Sequence, residues 1–207
     1  MTATAESIEY NSEQRNLQSC LPGSNVNEVS FLATDYLNHL NEPIMMLEMV
    51  PDMPDMLEEV ESWQPKSYQQ HFRDSLFAAK DIAIEAYEIA PAPFRQPFDM
   101  CITMAGNAIM DSAQATRAAI KSGDEARIAF LVERTSSHVR HLIDIASGAI
   151  NGKPNALDRQ KAMELRNSWK DVLANKSMAP VDMVEPEMEE QDDSPSMNQD
   201  SIDALFD

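Results

Sequence analysis

Glycine is scarce in this chain, five residues in 207, and aromatic side chains make up only 6%. Tight hairpins need glycine for left-handed backbone, and strands favour aromatic and β-branched surfaces, so a sheet protein has little to be built from. Cysteine is nearly absent. Cys20 and Cys101 stand far apart, which argues against a disulfide framework or a zinc site, and Cys101 lies in an apolar run as a small buried residue. No apolar run approaches the ~18–20 residues needed to cross a bilayer. Met1 to Tyr10 has neither the basic region nor the apolar run of a secretion signal. These absences predict a cytoplasmic, reducing setting with no membrane insertion. Basic residues are also few, 16 against 35 acidic, for a net charge of −19. Such a surface repels phosphate backbones and anionic headgroups, so no nucleic-acid partner is expected.

What the sequence does contain is helical. Apolar residues are 43% of the chain, enough for a core, and fourteen of the residues are methionine. Residues 1–25 are polar and end in Leu21-Pro22-Gly23-Ser24, which reads as a flexible arm closed by a turn. Apolar steps of three and four residues then begin. Val29, Leu32, Ala33, Tyr36, Leu37 and Leu40 predict a first helix capped by Ser24 or Asn27. Pro43 either kinks it or restarts it at a first helical position. Met56, Leu57, Val60 and Trp63 mark a short helix. With Ser67 as cap, Phe72, Leu76, Ala79, Ile82, Ala83, Ala86 and Ile89 predict one long helix from Tyr68 to about Ala90, stopped by Pro91-Ala92-Pro93.

A further helix spans about Phe94 to Lys121, with Gly106 inside it as a point of close packing. Gly123 and Asp124 have the C′ and N-cap roles between it and the next. That next helix carries Ile128, Leu131, Thr135, Val139, Leu142, Ile145 or Ala146, and Ala149 on one stripe. Ala156 to Ala174 is a last, more polar helix. The expected fold is thus an all-α helical bundle over 26–175.

Beyond Lys176 the composition changes to Met, Pro, Glu, Asp and Ser. Val181 to Asp207 holds ten acidic residues and no basic one, leaving −9 for residues 1–180. Residues 176–196 read as a disordered acidic linker. At the very end, Ile202, Leu205 and Phe206 stand at i, i+3 and i+4, on one face of a helical turn. Asn198 or Asp200 supplies the cap, and Asp200 and Asp203 lie near the positive end of the helix dipole. Residues 197–207 are therefore expected to be a recognition peptide that becomes helical in a partner's groove.

Asn198-Gln199-Asp200-Ser201-Ile202-Asp203-Ala204-Leu205-Phe206-Asp207 resembles the peptides by which CheZ-type chemotaxis phosphatases and flagellar-motor switch proteins grip a CheY-type receiver. Gln199, Ile202, Asp203, Leu205 and Phe206 match that pattern, while Asn198 replaces its usual serine. The resemblance covers about a twentieth of the chain. It implies a non-catalytic adaptor that docks on a CheY-like receiver in bacterial chemotaxis or signalling, with no cofactor and with self-association left open.

It also implies an alternative, a receiver phosphatase. Such phosphatases orient water with a helix-borne amide beside a carboxylate, in the CheZ family as Asp-x-x-x-Gln. The nearest arrangement here is Asn107, Asp111 and Gln114, where Asp111-x-x-Gln114 is one residue short. Asp35-x-x-Asn38 imitates the Glu-x-x-Asn of another phosphatase family with a shorter acid. A third reading is a structural bundle whose tail has no function.

Two histidine sets remain. His39-x-x-Glu42 and His138-x-x-His141 place ligands on adjacent helix turns, and with His71 or Asp144 they are candidates for a metal site. The paired Glu-x-x-His motifs of di-iron bundles are missing. His138 or His141, near Ser136, Ser137 and Arg140, is also a faint match to a phosphotransfer histidine. The run Ile44-Met45-Met46-Leu47-Glu48-Met49 reads either as core or as an adaptable binding surface.

Overall fold

The computed structural model describes residues 8–174, which form eight α-helices and no strand. The frame is a pair of long helices, α6 (Ala92–Ser122) and α7 (Glu125–Ile150). One left-handed residue reverses the chain between them: Gly123, at φ 69°. Its N–H donates to Ile120 O at 3.1 Å, and the Asp124 N–H donates to Ala119 O at 3.0 Å. This pair closes the exposed carbonyls of a helix C-terminus. The Asp124 side chain then caps α7 by accepting from the Arg127 N–H at 2.9 Å. Both helices and their junction follow the sequence reading.

Around this frame lie α1 (Ser12–Gln18), α2 (Asn38–Met49), α3 (Met56–Ser62), α4 (Tyr68–Asp74), α5 (Lys80–Glu88) and α8 (Arg159–Leu173). α2 packs against α3, α6 and α7, while α8 lies on α6 and α7. Phe31, Phe72, Phe94, Phe98, Leu32, Leu47 and Leu57 are fully enclosed. Tyr68 is the aromatic hub, with ring centroids 4.3 Å from Tyr87, 4.7 Å from Phe72 and 5.4 Å from Tyr36. Gly106 is where α6 receives the segment after α3. A Cβ there would sit 3.4 Å from Pro65 Cβ and 3.9 Å from Trp63 Cη2.

Proline enters two helices without breaking them, and the same device serves both. A proline cannot donate to the carbonyl four residues earlier. Inside α2, Pro43 leaves His39 O without its helical donor, and the Trp63 indole N–H donates to that oxygen at 3.1 Å. Inside α6, Pro97 leaves Pro93 O free, and the Asn155 N–H donates to it at 2.8 Å. Pro43 therefore sits within a continuous helix and not at its start.

Four expectations are corrected. Residues 8–25 are not a loose arm. Asn11 and Gln14 form a reciprocal capping box at the start of α1, and Leu17 and Leu21 are buried. The Gln14 side chain also donates to Ile89 O at 2.8 Å. The Tyr10 ring, stacked on Phe31 at 5.7 Å between centroids, anchors it further.

Residues 24–33 are not helical. Asn27 Oδ1 accepts from the N–H groups of Val29 and Ser30, and Phe31 adopts φ 65°. A short polar side chain thus diverts the backbone into a turn. A 3-10 turn at Thr34–Leu37 leads into α2 instead.

Nor is 68–90 one helix. The Ser75 hydroxyl donates to Phe72 O at 3.0 Å and accepts from the Phe77 N–H at 3.2 Å, ending α4. Leu76, expected in the buried stripe, is fully exposed. The last helix also begins later than expected, at Arg159, because Asp158 is its cap and accepts from the Lys161 N–H at 2.8 Å.

Candidate functional site

Asn107, Asp111 and Gln114 fall at i, i+4 and i+7 of α6, and all three are exposed. The helix thus presents two amides and a carboxylate on one face, as the phosphatase alternative requires. Asp111 has a structural partner. Its Oδ2 accepts from the Trp169 indole N–H of α8 at 3.3 Å. Trp169 is the buried residue by which α8 holds the frame. The other face of this contact is His138 of α7, whose ring stacks on Trp169 at 5.3 Å between centroids and 18° between planes. Burial, reinforced by His141, lowers the His138 pKa to about 4, so the imidazole is neutral near pH 7. One indole therefore joins Asp111 and His138, which belong to different candidate sets.

His141 is exposed. Arg140 donates to both carboxylate oxygens of Glu48, at 2.7 and 3.0 Å, and ties α7 to α2. The residues proposed to surround a phosphotransfer histidine are thus divided: Ser136 is buried, Ser137 is exposed, and Arg140 holds another helix.

His39 and His71 line a small polar cleft of about 260 Å³ with Asn38, Glu42, Lys66, Asp74 and Ser75. Their ring centroids are 5.7 Å apart. His39 Nε2 accepts from the Lys66 backbone N–H at 2.9 Å, so its lone pair is used within the fold. Burial, then the charges of His71 and Lys66, lower the His39 pKa to about 4. Burial and Lys66 lower that of His71 too. Among the described residues no group of three His, Cys, Asp or Glu side chains is placed to hold a metal ion. Neither His39-x-x-Glu42 with His71, nor His138-x-x-His141 with Asp144, forms a metal site there. Asp35 lies in the 3-10 turn and Asn38 begins α2, so the Asp35-x-x-Asn38 pair straddles a change of helix type.

The Met-rich run divides between the two readings offered for it. Ile44 and Leu47 are buried, whereas Met45 and Met49 are exposed. The tryptophans carry more than their sequence context announced. Trp63 and Trp169 each bring an indole donor to a distant acceptor, 24 and 58 residues away. The receiver-binding residues Gln199, Ile202, Asp203, Leu205 and Phe206, and the linker before them, lie outside the described residues.

Among the described residues no helix is long and apolar enough to cross a membrane. Compared with protein-family models, with curated proteins and with solved structures, the chain matches none. The class defined by the described residues is an all-α protein built on two long antiparallel helices.

Proposed function

We propose that this chain is a non-catalytic adaptor that docks on a CheY-like receiver domain through its C-terminal peptide, in bacterial chemotaxis or signalling. The observation that carries this reading is the sequence of residues 198–207. Ile202, Leu205 and Phe206 share one helical face, and Gln199 and Asp203 complete the resemblance to receiver-binding peptides. Burying each apolar side chain contributes roughly 1.5–3 kcal/mol of gross transfer energy. Ordering the peptide offsets much of that, which sets the expected affinity of the isolated segment at micromolar or weaker. The helical domain then acts as the body that the peptide tethers to its receiver in the cytoplasm.

A second reading, a receiver phosphatase, is favoured by one observation: Asn107 and Gln114 are exposed on the same face of α6 as the Asp111 carboxylate. Two measurements test and separate the readings. Purified CheY-like receiver is captured with the intact chain and with a chain ending at Met197. The adaptor predicts capture by the first alone, and equal capture, or none by either, overturns it. The protein is then added at saturation to phosphorylated receiver. Unchanged loss of phosphate keeps the adaptor. Faster loss that Gln114→Ala or Asn107→Ala abolishes, with capture intact, replaces it by the phosphatase.

A further inference from the structure

α8 departs from the charge of the rest of the chain. In a protein of net charge −19 it carries Arg159, Lys161, Arg166 and Lys170 against Glu164 and Asp171. Arg159 and Arg166 face a groove of about 400 Å³ between α6 and α8. Its apolar lining is Met100 and Met104 from α6 with Ala162 and Met163 from α8.

Both arginines are exposed, and neither makes an ion pair or hydrogen bond with another described residue. The groove's one acid, Asp99, is already engaged. The Tyr87 hydroxyl donates to its Oδ1 at 2.8 Å, and Arg95 Nε lies 3.5 Å from its Oδ2. Glu164 accepts from the Gln160 side chain at 2.8 Å, and neither residue lines the groove.

The groove's walls are fixed. Asp158 caps α8 at one end. At the other, Arg127 donates to Val172 O at 3.1 Å and to Leu173 O at 2.8 Å, and Trp169 is buried between.

We propose that the groove between α6 and α8 is a docking site for an acidic amphipathic peptide of a partner protein. Charge complementarity selects the sign: two guanidinium groups without a partner among the described residues, beside an apolar floor, ask for carboxylates beside apolar side chains. Spacing selects a peptide over a single-headed amphiphile. Seven residues at 1.5 Å rise put Arg159 and Arg166 about 10 Å apart along α8. Acidic residues seven apart on a helix, or three apart on a strand, match that separation. The methionines suit a site that accepts varied apolar side chains, because the thioether chain is unbranched and polarizable.

The test uses the full chain with methionine methyl groups labelled for NMR. The probe is a synthetic helical peptide of fourteen residues with one leucine face bordered by glutamates seven apart. A second peptide has those glutamates replaced by lysine, and dodecanoate serves as the single-headed anion. The proposal predicts that the glutamate peptide shifts the methyl signals of Met100, Met104 and Met163 and leaves those of Met45 and Met49 in place. Its affinity falls as salt is raised.

Arg159→Ala and Arg166→Ala each weaken binding about fivefold, the upper range for exposed charge pairs. These side chains are exposed, so an unchanged circular dichroism spectrum of each variant shows that the fold is kept. Equal binding of the glutamate and lysine peptides overturns the proposal, as does binding that neither arginine variant weakens. Dodecanoate filling the same methyl cluster more tightly than the peptide overturns it in favour of a small amphiphile.

Discussion

At the scale of single residues, the histidines decide how the protein responds to acid. His39 is buried, accepts a backbone N–H, and has its pKa lowered to about 4 from an ordinary 6.5. The unfolded chain therefore takes up a proton below pH 6.5, while the folded one resists until near 4. The stability this residue contributes is complete above pH 6.5 and is lost as pH falls from there towards 4, by roughly 3 kcal/mol at most. His138 acts in the same window. Glu61 and Asp74 are held below their ordinary values by Arg117 and Lys66, so their contribution disappears at lower pH still. Urea unfolding midpoints should fall between pH 7 and 4.5. His39→Gln, which keeps an acceptor for the Lys66 N–H and removes the titration, should flatten that fall. A slope that His39→Gln leaves unchanged would show that the imidazole is not the cause. From sequence, Asn107, Asp111 and Gln114 were legible as one helix face, because a face is set by local spacing. That Asp111 receives Trp169, and that His138 lies under the same indole, was not legible, since those contacts join helices remote in the chain.

At the scale of elements, the two interior prolines show what periodicity can and cannot reveal. The apolar pattern continued past Pro43, which left a kink or a restart as the local choices. The actual solution is a donor from elsewhere, the Trp63 indole on His39 O. Trp63→Phe should leave that part-buried carbonyl without its donor and cost about 1 kcal/mol. Pro43→Ala supplies the missing N–H, so it should recover part of the loss in the Trp63→Phe background. A double-mutant cycle from denaturant unfolding measures the coupling, and strict additivity would contradict the account. The α6–α7 junction was legible because a C′ glycine followed by an N-cap aspartate is complete within a few residues. α1 was not legible because Leu17 and Leu21 stand alone in a polar stretch, and its other anchors, the Tyr10 ring on Phe31 and the Gln14 side chain on Ile89 O, join residues distant in the chain. Leu21→Ala should cost about 2–5 kcal/mol, as a buried leucine does. A loose arm would register almost nothing in the same melting experiment. The break at Ser75 was not legible because a serine hydroxyl competing for backbone groups leaves the surrounding apolar spacing intact.

At the scale of the whole molecule, the all-α class followed from what the chain lacks, and the described residues are all-α. How the short helices surround the long pair depends on ring and indole contacts that carry no periodic signal. Charge is distributed as unevenly as apolarity. Ten of the acidic residues lie beyond residue 180, whereas α8 carries four basic residues against two acidic ones. In the proposed adaptor, the acidic linker quickens encounter with a basic receiver face and makes binding sensitive to salt. The C-terminal peptide supplies the specific contact. The most direct measurement is a titration of fluorescently labelled peptide 194–207 against CheY-like receivers, with the variants Phe206→Ala, Leu205→Ala and Ser201→Ala. The account predicts saturable binding in the micromolar range or weaker, lost with Phe206→Ala or Leu205→Ala and nearly unchanged with Ser201→Ala, which lies off the apolar face. Equal binding of all three variants, or a native peptide that binds none of the receivers, would contradict it.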